Sequence, residues 1–476
     1  MLATTEIPRS DRREDASPVS SEGHAPACPT SPVEVVTRGS AILRLAAYAP
    51  PPKPAGPPVT VLYLDHTAAM SGGEIALVRL IEALDPKAVR PIVLFAADGP
   101  IVKRLEDLGV ATHVLPLGEN VRNIRKDTLG LSALWRFGAL LSIFWYGLRV
   151  ARFARECGAQ IIHTNSLKSD IYGAIAGFFA SVRVIWHVRD YINRSYLPGP
   201  AVAIFRFLAR NVPRYVVANS RSTLNELDLD ASFPATVVPS GLRLGSRVVH
   251  DGLVAQRLGY PVGSSVESWR ERAARRRPRP GPVRIGIIAR ITRWKGQHIF
   301  IDAAAQIAAA GYDAEFLIVG APLFGEEEYE RELRQQAEDA GLSGRLKFLG
   351  FQENTREILR SLDVFVHASI SPEPFGQVVI EAMAEGVPVI ATNGGGVSEI
   401  IEHGKSGLLV PMGDAGALAA AIEGLLKNPC EARRLTAHGY RRVRRHFTSA
   451  QTARKMEGIY RAILAADAAS HRTLIS

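Results

Sequence analysis

What most constrains this chain is an alternation of strand and helix that runs through it twice, with one interruption between. Strand-like runs at 59–65 (VTVLYLD), 90–96, 112–117, 160–163, 183–187, 215–218 and 236–239 are separated by helical segments. A second series at 283–289, 315–320, 346–349, 364–368, 387–391 and 407–410 repeats the pattern. The runs are β-branched and continuously apolar rather than alternating, as strands covered on both faces are. Strand–helix–strand repeats of this kind imply a parallel sheet flanked by helices. Two such series predict an α/β protein of two doubly wound, Rossmann-like domains facing a cleft, with ligands at the carboxyl ends of the strands.

The expected limits follow from where the pattern fails. Residues 1–57 are polar, charged and proline-rich, ending in APPPKPAGPP, and read as a disordered segment with no signal peptide. An N-terminal domain is expected over 58–241, a basic linker over 242–282, a C-terminal domain over 283–448, and a last helix over 449–476 that packs back on the first domain. A chain of 476 residues suits two cores better than one. Seven arginines at 270–284 supply part of the net charge of +10, and neither an aromatic-interleaved basic stripe nor zinc spacing accompanies them, so nucleic acid is not expected as a partner. Three dispersed cysteines, Cys28, Cys157 and Cys430, make no disulfide framework and fit a reducing, cytoplasmic setting. The apolar stretch 131–148 carries Arg136 and is followed by Arg149, Arg152 and Arg155. It reads as a domain helix, with an interfacial helix on an anionic membrane as the sharper alternative.

Chemistry concentrates at 371–401, SPEPFGQVVIEAMAEGVPVIATNGGGVSEII, where Glu373 lies in a loop and Glu381 in the helix opened by Pro374-Phe375-Gly376. A helix N-terminus offers unpaired N–H groups and a positive dipole end, which suit an anionic ligand, and Gly394, Gly395 and Gly396 allow close backbone approach. Arg290 ends a strand and Lys295 is expected to open the next helix, so both cations can converge on a diphosphate. Other signals fail. No G-x-G-x-x-G follows a strand, and Glu399 stands where a phosphate-binding loop ending in Gly404-Lys405-Ser406 would need glycine. Asp228-Leu229-Asp230 has metal-binding spacing but reads as a solvated helix end.

Residues 283–410 resemble the C-terminal domain of a retaining GT-B glycosyltransferase of the large family four type. The likeness rests on the Arg290/Lys295 pair, on KFLGFQ at 347–352, and on the glutamate, seven residues, glutamate spacing of 373 and 381. The resemblance extends more loosely over 59–468. It implies that Arg290 and Lys295 neutralise the donor diphosphate, that Glu381 accepts from ribose hydroxyls, and that Glu373 holds hydroxyls of the sugar. It places the backbone of Phe375, Gly376 and Gln377 beside the donor, Phe351 and Gln352 at the nucleobase, Gly72 and Gly73 in a glycine loop, and His187 near the reacting sugar. His187 departs from the family's histidine-aspartate pair, since Asp190 comes three residues later; His163 is a weaker candidate.

The resulting expectation is a hexosyltransferase-like, retaining enzyme needing no metal and no cofactor beyond a UDP-, GDP- or ADP-sugar donor. Its acceptor would be a polysaccharide, lipid-linked glycan or glycolipid, reached from the cytoplasm at the inner membrane face. Alternatives on the same fold are a nucleotide-sugar epimerase and a catalytically silent nucleotide-sugar-binding partner of a membrane glycan assembly complex.

Overall fold

The computed structural model describes residues 56–118, 133–244, 281–323 and 325–475. The expected disordered segment therefore falls outside the described residues up to 55, as do 245–280 of the expected basic linker and the first part of the apolar stretch.

Two wholly parallel sheets carry the chain. The first has seven strands, β1 Val59–Asp65, β2 Val89–Phe95, β3 Ala111–Val114, β4 Ile161–Thr164, β5 Arg183–Val188, β6 Tyr215–Ala218 and β7 Ala235–Val237, ordered β3-β2-β1-β4-β5-β6-β7. The second has six, β8 Val283–Ile288, β9 Ala314–Val319, β10 Leu346–Phe348, β11 Val364–His367, β12 Val389–Thr392 and β13 Leu408–Val410, ordered β10-β9-β8-β11-β12-β13. Each expected strand is present within a few residues of its predicted bounds, and the α/β, doubly wound class holds for both sheets.

The continuous apolar runs have a direct cause. Along β1, Leu62 and Leu64 enter a core shared with the helices Ala133–Glu156 and Leu167–Ala180, while Val61 and Tyr63 enter another shared with the helix Gly72–Ile81. In β9, Phe316 and Ile318 face one core while Leu317 and Val319 face the other. Alternate residues point to opposite faces, so a sheet covered on both must be apolar at every position.

After the second sheet come the helices Ala415–Lys427, Pro429–His446 and Ser449–Ile475. The last returns to the first sheet, burying Ala453, Met456, Tyr460 and Ile463 among Val61, Tyr63, Leu77 and Ile81. The strand order reverses at β1/β4 in one sheet and at β8/β11 in the other. Such reversals open a crevice beyond the strand ends, and the candidate residues sit at these ends.

Candidate active site

From the end of β8 the chain delivers half-buried Arg290, whose carbonyl accepts from the Gln297 side-chain amide at 2.8 Å. A single 3-10 turn, Arg293–Lys295, follows. Lys295 thus closes that turn instead of opening the α-helix, which begins at Gln297. The reason is Gly296, at φ +72°, where an added Cβ would stand 2.0 Å from the carbonyl oxygen of Ala368. Only glycine lets this turn lie against the end of β11, and that contact carries Lys295 to Glu373.

Glu373 is 6% exposed. Its Oε1 pairs with Lys295, accepts from the Ser369 hydroxyl at 2.7 Å, and lies 2.9 Å from His367 Nε2. Burial alone would push this carboxyl up, but the Lys295 ammonium and His367 hold it well below the usual carboxylate range. The glycine triplet serves the same loop rather than leaving open space: Gly395, at φ +62°, would set a Cβ 2.2 Å from the Glu373 carbonyl oxygen. The Phe375 side chain is buried in the core with its ring 6.1 Å from Phe447, so only its backbone can face a ligand, beside Gly376 and Gln377. Phe351 is exposed at 62%, beyond β10, and the Gln352 side chain donates to the Leu349 carbonyl at 2.7 Å.

The first sheet contributes a second cluster. His187, the last residue but one of β5, is buried, its Nδ1 3.0 Å from His163 Nε2 and 3.3 Å from Arg189 Nη2. Arg189 also donates to Asn165 Oδ1 at 2.7 Å, and Asn165 Nδ2 reaches Asp65 Oδ2 at 2.6 Å and the Gly73 carbonyl at 3.2 Å. Arg189 and Asn165 thereby hold Gly73, which with Gly72 forms the first turn of the helix Gly72–Ile81 rather than the expected loop. Asp190 accepts instead from the Tyr196 hydroxyl at 2.6 Å. Burial holds His163 down to about 3 and His187 well below its ordinary value, so both rings are neutral at physiological pH.

Side chains from both sheets close on one another. Arg79 Nη2 meets Glu381 Oε1 at 2.7 Å and Arg79 Nη1 lies 3.3 Å from Gln377 Oε1, while Gln377 Nε2 donates to the Gly72 carbonyl at 2.5 Å. The Tyr191 hydroxyl donates to the Glu373 carbonyl at 2.8 Å, and that of Thr223 to the Pro374 carbonyl at 3.2 Å. Glu399 accepts from the backbone N–H groups of Arg221 and Ser222 at 2.9 and 2.8 Å. Arg79, Arg189, Tyr191 and Glu399 carry no motif, and only Arg189, two residues past His187, had a local signal. Asp228 pairs with Arg210 at 2.5 Å on the surface, as a solvated end would. Among the described residues one group has metal-ligating side chains close together, Asp65, His66 and Glu74, within 4.8 Å. Both oxygens of Asp65 accept, from the His66 N–H and from Asn165, and Glu74 Oε2 accepts from the Ser71 hydroxyl.

This geometry meets two family descriptions: residues 71–241 match a glycosyl transferase 4-like domain, and residues 270–442 match glycosyl transferases group 1. The chain belongs to the group 1 glycosyltransferases. A crystal structure of Anabaena Alr3699/HepE in complex with UDP and glucose, 25% identical, superposes with a TM-score of 0.69 over 85% of this chain and 100% of that one. The lipopolysaccharide core biosynthesis glycosyltransferase LpsE of Rhizobium meliloti is 35% identical over 170 residues, 36% of this chain and 47% of the relative. The phosphatidyl-myo-inositol mannosyltransferase of Mycobacterium leprae is 38% identical over 154 residues, 32% of this chain and 39% of the relative. The chain thus spans about half or less of the length of these two. A 2-deoxystreptamine glucosyltransferase of Streptomyces kanamyceticus is 27% identical over 371 residues, 75% of this group 1 chain and 90% of the relative. The two-sheet architecture is the GT-B fold. Among the described residues no helix is long and apolar enough to cross a membrane.

Proposed function

We propose that this chain is a retaining glycosyltransferase that moves a sugar from a nucleotide diphosphate sugar to a polysaccharide, lipid-linked or glycolipid acceptor. The observation that carries the reading is the buried Lys295–Glu373 pair at the β8/β11 reversal, with Arg290 just past the end of β8 and with His187 near the end of β5 and Gly72–Gly73 opening the helix that follows β1. The UDP and glucose bound by the Anabaena relative, and the sugar-transferring names of the others, support the same class of donor.

The chemistry follows from charge. The bond between the anomeric carbon and the leaving phosphate breaks with its electron pair passing to the phosphate, where Arg290 and Lys295 offset the growing negative charge. The acceptor hydroxyl bonds to the anomeric carbon from the same face, and its proton passes to a leaving phosphate oxygen. The products are the nucleoside diphosphate and a glycoside of unchanged anomeric configuration. Glu373 orients sugar hydroxyls; its Oε1 already receives Lys295, Ser369 and His367, which makes it a poor nucleophile. Arg79 takes Oε1 of Glu381, and the ribose hydroxyls take the other oxygen. Phe351 and Gln352 hold the nucleobase.

The acceptor is met at an anionic membrane surface. On the helices Ala133–Glu156 and Leu167–Ala180, Trp145, Phe144, Phe179 and Phe178 form an exposed chain of rings with centroids 6.1, 5.7 and 5.3 Å apart. Phe178 is 80% exposed, Arg149 and Arg152 are exposed on the first helix, and Arg183 lines the adjoining groove of 660 Å³. Apolar rings with a cationic rim suit the interface of an anionic bilayer.

The test is transfer from a panel of UDP-, GDP- and ADP-sugars by the full chain. Glu373→Ala is expected to lose on the order of a hundredfold in turnover, and undiminished turnover would remove Glu373 from the site. Donor binding without transfer to any acceptor would favour a silent partner. Flotation with phosphatidylglycerol vesicles tests the surface: loss of binding in a Trp145→Glu/Phe178→Glu variant supports it, and no binding by the wild type refutes it.

A further inference from the structure

We propose that Tyr460, on the returning C-terminal helix, and His163 are positioning residues that lock His187 as a neutral imidazole offering Nε2–H, a single hydrogen-bond donor, to an oxygen of the bound donor sugar. The identity of that ligand rests on the proposed transfer reaction; the state of the imidazole does not.

The argument begins at Arg189. A guanidinium has donors only, and its Nη2 lies 3.3 Å from His187 Nδ1, so that nitrogen presents a lone pair. Arg189 is not free to turn away, being tied to Asn165 at 2.7 Å and to the Ser240 hydroxyl at 3.0 Å. His163 Nε2 stands 3.0 Å from the same lone pair and therefore carries hydrogen. A neutral His163 must then present its own lone pair at Nδ1, where the Tyr460 hydroxyl donates at 2.7 Å. With its hydrogen committed there, the Tyr460 oxygen accepts from the Tyr63 hydroxyl at 2.9 Å. Every link from Tyr63 through Tyr460 and His163 to His187 points the same way. Hydrogen bonds aligned in one direction polarise one another, and here each fixes the tautomer of the next.

The chain ends on an atom that the protein leaves unused. His187 Nε2 is buried and has no hydrogen-bond partner. A buried donor lacking an acceptor is destabilising, so its persistence near the carboxyl end of β5 fits a group held for a ligand oxygen. Burial also holds both imidazoles neutral, as the directed chain requires. It follows that His187 donates to the ligand and does not act as its base. It follows too that the C-terminal helix, 297 positions from His163, completes a site in the first sheet.

The test is long-range proton–nitrogen correlation on the full chain labelled with nitrogen-15 histidine, at neutral pH, with His163→Gln and His187→Gln used for assignment. Both imidazoles are expected as Nε2–H tautomers in the wild type. In Tyr460→Phe, which keeps the ring and removes only the O–H, His163 is expected to mix tautomers and the His187 signals to shift. Turnover is expected to fall on the order of tenfold, the cost usual for an outer partner of a working histidine, with donor KM changed by less than about twofold. An Nδ1–H tautomer at His187 in the wild type overturns the proposal, as do unaltered His163 and His187 signals in Tyr460→Phe. These spectra need no turnover, so failure to transfer from any donor would sink the proposed reaction while the tautomer result still decides this one.

Discussion

Lys295 and Glu373, 78 positions apart, meet as an ion pair whose side chains are 16% and 7% exposed. A buried pair of this kind is weak grounds for stability, because desolvation offsets the attraction, but losing one partner strands the other. Lys295→Met leaves a buried carboxylate without its ammonium partner, and a loss of about 3–5 kcal/mol is expected. Glu373→Gln keeps the shape and most hydrogen bonds and is expected to lose less. Urea unfolding of both variants checks the order. The carboxyl of Glu373 is held below its ordinary value of 4.5, so its contribution is present above that pH and is lost as pH falls below it.

Arg79 and Glu381 divide the work differently. Their contact lies near the surface, at 22% and 19% exposed, and joins the helices Gly72–Ile81 and Gln377–Ala384. If Glu381 accepts from ribose, Glu381→Ala costs a hydrogen bond to a charged group, roughly ten- to a hundredfold in donor affinity. Arg79→Ala leaves that bond and loses only a partly exposed ion pair, so a weakening of no more than about fivefold is expected. Titration calorimetry with nucleoside diphosphate ranks the two, and an equal loss would assign the ribose contact to Arg79 as much as to Glu381.

Much of this was legible in the sequence because both sheets are covered on two faces, which makes each strand a short apolar run. The motif residues Arg290, Lys295, Glu373 and Glu381 were legible because strand ends and a helix start are local features. That Lys295 closes a 3-10 turn was not, since the cause is the Ala368 carbonyl 72 positions away from Gly296. Arg79 sits unremarkably on an amphipathic helix, and only the apposition of the two sheets gives it a partner. Tyr460 looks like one more apolar residue of a terminal helix, and its role depends on packing that no local pattern encodes.

Gly296 offers a test of that hidden contact. Alanine there would have to adopt a left-handed conformation and press its Cβ against backbone that cannot swing aside. A loss of about 1–3 kcal/mol is expected for the strained backbone alone. Because the turn carries Lys295, turnover should fall even at temperatures where Gly296→Ala remains folded. Retained turnover with lowered stability would mean that Lys295 reaches Glu373 without help from the turn.

The buried His163 predicts how stability answers to acid. Unfolded, it takes up a proton near 6.5; folded, burial holds it to about 3. Between those values the unfolded chain binds more protons, so stability falls as pH drops. The expected loss from this residue between pH 7 and pH 5 is about 2 kcal/mol. Glu74 and Asp170 act oppositely, since burial raises them to about 7 and about 8, and each lowers stability as pH rises through that range. A comparison of urea unfolding at the two pH values in wild type and His163→Asn isolates the histidine. The wild type is expected to lose about 2 kcal/mol more than the variant on acidification. Parallel losses in the two proteins would mean that His163 is protonated in the native state, which would also break the directed chain from Tyr460 to His187.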